Sequence, residues 1–143
     1  MIENVLYEGQ TQAIILRSGF EKDGIEFFTP SDFSQQLGYM KRSSGYIIPP
    51  HVHNPVKREV SFTKEVLFIK SGKVRVDFYD DEQNYFTSRI LRKGDVALLA
   101  FGGHGFEILE TAEIIEVKQG PYAGDEDKTR FEPVSNLEIK LKD

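Results

Sequence analysis

Apolar residues in this chain come in short runs, alternating or continuous, and each run is soon closed by Gly, Pro, Asn or Asp. Few stretches keep a 3.6-residue apolar period long enough for a helix, so strands joined by turns are the expected elements. The pattern is clearest in Val74-Arg75-Val76-Asp77-Phe78. Strict alternation there sends Val74, Val76 and Phe78 to one face and predicts Arg75 and Asp77 on the solvent side. Ser71-Gly72, Asp80-Asp81-Glu82-Gln83-Asn84 and Lys93-Gly94-Asp95 read as turns between successive strands. Strands are expected at 12–17, 25–29, 37–42, 46–48, 60–63, 66–70, 73–80, 85–91, 96–99, 105–110, 112–118 and 137–141. The fold class is all-β, a two-sheet sandwich or barrel. Residues 31–36 read as a loop or a single helical turn, and the acidic, turn-rich stretch 120–127 leaves the sandwich before the last strand.

A chain of 143 residues supports one sizeable core, so a single domain over 1–143 is expected. Its formal net charge of −5 argues against nucleic acid, which is held by clustered Lys and Arg. The absence of cysteine excludes a disulfide framework and a thiolate site, and fits a cytoplasmic protein. The first residues carry acids where a signal peptide needs a basic region, and the longest apolar run, 96–101, is far too short for a membrane span. A soluble protein with no membrane partner is the expectation.

The chemistry concentrates on three histidines, His51, His53 and His104. His51 and His53 are two apart, beside Pro49-Pro50. On a strand such side chains share a face, with Cα atoms roughly 6.5–7 Å apart, so two imidazoles can close on one ion. Tyr46, Ile48, Phe62, Phe68, Phe78, Phe101 and Phe106 read as core. Lys41 and Arg42 end a strand that could line a barrel mouth, where Arg42 suits a carboxylate or phosphate. Glu107, an odd offset from His104, is expected on the surface, and Tyr39 and Tyr122 are weaker candidates for acid/base or stacking roles.

Gly45, His51, His53, Glu65 and Gly72 match the pattern Gly-x5-His-x-His-x3,4-Glu-x6-Gly, except that eleven residues, 54–64, stand where three or four are usual. Gly94, Ala100, Gly102 and His104 follow a second pattern, Gly-x5-Pro-x-Gly-x2-His-x3-Asn, less closely: Ala100 replaces the proline, His104 comes one residue early, and Ile108 stands at the Asn. In these features the chain resembles the cupins, over core motifs at 45–108, with 120–143 as a C-terminal extension. The resemblance implies a double-stranded β-helix, or jelly roll, and a divalent transition metal (Fe, Mn, Ni, Co or Zn) held by His51, His53, Glu65 and His104. Glu59 is the alternative carboxylate. Mixed nitrogen and oxygen donors suit such an ion and leave positions open for water or substrate. The extended 54–64 segment is a candidate lid, and Lys57, Arg58, Arg42 and Tyr46 are candidate substrate contacts. The block 116–125 resembles small cupins that accompany surface-polysaccharide and sugar-nucleotide pathways.

The resemblance thus implies a metal-dependent enzyme, of oxygenase or isomerase type, acting on a small polar metabolite such as a sugar or carboxylate. Two rivals remain: a metal-free sugar-nucleotide isomerase or epimerase using a His base with a carboxylate partner and a Tyr acid, and a small-ligand binding or sensory module without turnover. A homodimer through sheet edges is also implied.

Overall fold

A computed structural model describes residues 1–142. Its contacts divide into two compact units, residues 21–62 and residues 1–20 with 63 onward. Both are built from strands.

The larger unit holds one antiparallel sheet of six strands: β1 (Ile2–Tyr7), β2 (Gln10–Leu16), β5 (Glu65–Tyr79), β6 (Tyr85–Arg92), β7 (Val96–Leu99) and β8 (Gly103–Lys118). Its organiser is β5. Along one side, the first part of β5 pairs with β7 (Glu65↔Leu99 to Phe68↔Val96) and the second part with β6 (Lys73↔Arg92 to Tyr79↔Tyr85). Along the other side β8 follows it throughout, from Glu65↔Lys118 to Tyr79↔Gly103. The sheet therefore curls about the middle of β5 into a half-barrel, with β2 and β1 continuing beyond β7. Val5, Ala13, Ile15, Leu67, Ile69, Val74, Val76, Phe78, Leu91, Ala97 and Leu99 fill its concave side.

Ser71-Gly72 does not end a strand. Register shifts between Ile69 and Val74 mark a bulge inside a continuous 15-residue strand, and such bulges bend a strand and increase its twist. Gly72 has φ +80°, and a Cβ there would lie 2.1 Å from the Thr111 carbonyl oxygen, so the close approach of β8 requires glycine. The two strands expected at 105–110 and 112–118 likewise form one, β8. The other two turns stand as expected. Asp80 accepts hydrogen bonds from the Glu82 and Asn84 amides, both 2.9 Å, and Asp95 accepts from Ser18 N at 2.9 Å and Arg92 N at 3.0 Å.

Arg75 and Asp77 are not on the solvent side. They do lie on the face away from Val74 and Val76, but both are buried, because the C-terminal segment covers that face. Arg75 grips Asp77 through Nε (2.8 Å) and Nη2 (3.0 Å) and donates to Asn136 Oδ1 at 3.1 Å. Ser88 Oγ donates to Asp77 Oδ1 at 2.5 Å. The expected strand at 137–141 is a 3-10 turn, Asn136–Glu138, followed by a single parallel bridge from Leu141 to Ser88.

The smaller unit carries one hairpin, β3 (Gly24–Phe27) with β4 (Gly38–Lys41), in register from Gly24↔Lys41 to Phe27↔Gly38. Residues 42–62 contain no strand, so the strands expected at 46–48 and 60–63 are absent. Only Phe78 of the seven expected core aromatic and aliphatic residues is fully buried. Tyr46, Ile48 and Phe62 fall in the strand-free stretch and are exposed, Phe68 alternates to the outer face of β5, and Phe106 sits on a strand with no partner along its other side. Among the described residues no helix is long and apolar enough to cross a membrane.

Candidate functional site

Glu65 opens β5, on the same face as Leu67 and Ile69 because it lies two and four residues away. His104 stands opposite Phe78 in the β5–β8 register, so its ring points to the same concave side. The curl of the sheet then joins residues that are 39 apart in sequence: His104 Nε2 lies 3.0 Å from Glu65 Oε2. The side chain of Glu65 is 11 % exposed and that of His104 27 %, a half-buried pair.

The turn that delivers His104 is fixed by glycine. Gly102 has φ +69°, and a Cβ there would lie 1.9 Å from Gln12 Oε1 and 2.6 Å from the Tyr79 carbonyl oxygen. Gln12 in turn holds the preceding residues, its carbonyl accepting from the Ala100 amide at 2.8 Å and the Phe101 amide at 3.3 Å. Gly102 thus matters as a point of close backbone approach.

The hydrogen bond from His104 draws the Glu65 carboxyl below its ordinary value, against burial, with further help from the charges of His104, Lys118 and Lys128. Glu65 is ionised at neutral pH and can only accept. The shared proton therefore belongs to Nε2, and in the neutral imidazole Nδ1 keeps the lone pair. Around the pair stand Phe106, whose ring centroid is 5.4 Å from that of His104, and Lys118, opposite Glu65 on the same face. Lys64, the residue before Glu65, holds its ammonium 4.8 Å from the Phe101 ring centroid.

The expected metal donors are thus found as two pairs. In the larger unit Glu65, and not Glu59, is the carboxylate that meets His104. In the smaller unit His51 and His53 stack edge to face, ring centroids 5.3 Å apart, on irregular backbone and not on the strand the spacing suggested. Proline explains this: Pro49, Pro50 and Pro55 lack the N–H that a ladder needs. His51 Nδ1 lies 3.0 Å from the Pro49 carbonyl oxygen. A carbonyl only accepts, so Nδ1 carries the proton and Nε2 presents the lone pair, as a metal ligand needs. Among the described residues no three His, Asp or Glu side chains gather closely enough to hold a metal ion.

Of the candidate substrate contacts, Arg42 places its guanidinium 4.6 Å from the Tyr46 ring centroid, a cation–π contact within the smaller unit. Lys57 and Arg58 are exposed on the strand-free stretch. Glu107 is only partly exposed and pairs with Arg75 at 2.6 Å. Sequence reasoning missed Lys64, Lys118 and Lys128. The signal for Lys118 was its even offset from His104 along one strand, visible only once 103–118 is read as continuous.

No protein-family model, curated protein or solved structure matches the chain.

Proposed function

We propose that this protein is a metal-dependent enzyme of the cupin type, acting on a small polar metabolite such as a sugar or carboxylate, with Glu65 and His104 at its working centre. The observation that carries the reading is the 3.0 Å contact between Glu65 and His104 on the concave face. It joins a carboxylate and an imidazole from opposite ends of the core, both partly exposed to solvent.

The donor chemistry fits a divalent transition ion. The Nε2 proton of His104 is its only bond to Glu65, and an ion taken there would replace that proton. In this reading His104 and Glu65 supply one nitrogen and one oxygen, and within the smaller unit His51 and His53 offer two nitrogens of their own. A bound ion would polarise a substrate carbonyl or lower the pKa of a bound water. The chain's own residues do the rest. Before an ion binds, Glu65 fixes the tautomer of His104, and the Phe106 ring lies beside the imidazole.

A second reading, a metal-free isomerase or epimerase, is favoured by the same hydrogen bond. With Nε2–H held by Glu65, the Nδ1 lone pair of His104 can take a proton from a substrate carbon, and the ionised Glu65 stabilises the imidazolium that results.

Metal content after loading with Mn²⁺ and Ni²⁺ tests both. Stoichiometric metal in the parent, lost in His104→Ala and in His51→Ala/His53→Ala, supports the metal reading. Metal retained in both variants contradicts it. A parent with no metal, whose activity survives a chelator and falls in His104→Ala, turns the assignment to the second reading. The proposal also includes a homodimer, for which β8 offers a 16-residue edge with no strand beyond it among the described residues. Monomeric elution at micromolar concentration would count against that part.

A further inference from the structure

We infer that Lys118 and Lys128 form an anion-holding rim beside Glu65 and His104, so that the molecule bound there carries a phosphate or carboxylate group. The inference rests on the reading that Glu65 and His104 form the working centre, and it deepens that reading by naming the chemical class of the ligand.

Lys118 is placed by the sheet. It is the last residue of β8, directly opposite Glu65 in register, and so on the concave side with the pair. Its only ion partner among the described residues is Glu116, at 3.6 Å, beyond the reach of a hydrogen bond. Lys128 is placed by the segment that follows. Gln119 N donates to the Lys64 carbonyl at 3.0 Å, which keeps the chain beside the start of β5. The 3-10 turn Gly124–Asp127 is then tied down by a hydrogen bond from Thr63 Oγ1 to the Asp127 carboxylate, two residues before Glu65. Phe131 finally packs against Tyr79, ring centroids 4.9 Å apart, and over Gly103, where an added Cβ would lie 3.1 Å from its ring. The backbone from 119 to 131 is thus anchored at Lys64, Thr63 and Gly103, the neighbours of Glu65 and His104, and Lys128 lies within it.

The two lysines are the cations of this rim. The Glu65 and Asp127 carboxylates beside them already accept hydrogen bonds, from His104 and Thr63. Lys128 has no ion pair among the described residues, and the charges of both lysines lower the Glu65 carboxyl in the same direction as the His104 hydrogen bond. Two lysines carried by backbone next to a half-buried site can hold phosphate or carboxylate oxygens by charge-assisted hydrogen bonds. Nothing in this arrangement requires a metal.

The test follows the His104 ring resonances by NMR during titration with inorganic phosphate and, separately, with malonate, at constant ionic strength and with EDTA present. With three histidines in the chain, His104→Ala assigns the signal. At least one anion is expected to move the His104 signal saturably, and the tighter of the two identifies phosphate or carboxylate as the recognised group. Lys118→Gln/Lys128→Gln should weaken that binding about tenfold or more, the equivalent of one good interaction. Lys70→Gln/Lys93→Gln, which removes the same charge elsewhere, should leave it unchanged. Thermal melts of both double variants establish that they fold. A His104 signal that neither anion moves, or equal weakening in both double variants, overturns the inference. Failure of the underlying reading looks different: the lysine-dependent anion binding would persist, while Glu65→Gln would keep the parent's metal content and activity.

Discussion

Two of the half-barrel's pairs of ionisable side chains, Arg75–Asp77 and Glu65–His104, are built on different principles. Arg75 and Asp77 lie under the C-terminal segment with their hydrogen-bonding groups engaged: Asp77 by Arg75 and Ser88, Arg75 also by Asn136 and Glu107. Ser88 is further held by Tyr85 OH at 2.8 Å, and its backbone pairs with Lys140 O at 2.9 Å. Such a network is finished and has nothing left to offer a ligand. Glu65 and His104 share one hydrogen bond, at the open side of the sheet, and His104 keeps a lone pair. A saturated buried network serves structure, whereas an unsaturated half-buried pair has capacity left for chemistry. Burial of charge alone would not have separated them.

That contrast is broken most forcefully at Asp77. Asp77→Ala leaves the Arg75 charge buried without its main partner and should cost about 3–5 kcal/mol, measured by denaturant unfolding. A loss below about 1 kcal/mol, the range of exposed pairs, would show the network to be ordinary surface. Gly72→Ala comes next. With φ +80° and the Thr111 carbonyl oxygen 2.1 Å from the new Cβ, the bulge must distort, at about 1–3 kcal/mol. A neutral result would mean that the β5–β8 approach is looser than described.

Glu65→Gln and His104→Ala should sharpen the contrast from the other side. Each removes one partly exposed hydrogen bond and should cost only about 1 kcal/mol of stability while abolishing metal or ligand binding. A variant that unfolds like Asp77→Ala would assign the pair to structure. Asn136→Ala should cost about 0.5–1.5 kcal/mol, since Arg75 keeps its other partners.

The smallest effect is the pH dependence. The hydrogen bond from His104 holds Glu65 below its ordinary value of 4.5, and at Glu3 the bonds from Arg89 and Arg17 outweigh burial in the same direction. A carboxyl lowered on folding contributes stability that is complete above its unfolded pKa and is lost as pH falls through the folded one. Thermal stability should therefore decline below about pH 4.5, and the decline should be shallower in Glu65→Gln, as melts from pH 7 to pH 3 would record. An unchanged slope would mean that the hydrogen bond is absent in solution.

Much of the sheet was legible because alternation and turn chemistry are local. Asp80 and Asp95 close their turns with side-chain hydrogen bonds, as Asp at such positions does. Reading failed where a local signal had two physical uses. Ser71-Gly72 carries turn chemistry, and its positive φ serves a bulge, so two predicted strands on each side became β5 and β8. Arg75 and Asp77 obeyed the alternation, but what covers their face comes from about sixty residues downstream, at Asn136, which no periodicity reveals. β1, Ile2–Tyr7, was passed over because Glu3 and Asn4 interrupt its apolar run; Glu3 is there to meet Arg17, at 2.7 Å, and Arg89. For the site, His104 and Glu65 were legible as residue types at matching positions. Their meeting was not, because it depends on the curl of the sheet. The His51–His53 spacing suggested a strand, and the surrounding prolines explain the irregular backbone found instead.

The central claim is that Glu65 and His104 form one reactive centre, and crystals grown with Mn²⁺ test it most directly through anomalous scattering. The account predicts a peak within coordination distance of both His104 Nε2 and a Glu65 oxygen, about 2.0–2.2 Å, or, with no peak, the two side chains still joined by their hydrogen bond. Glu65 and His104 turned apart into solvent, with any manganese bound elsewhere, would contradict it.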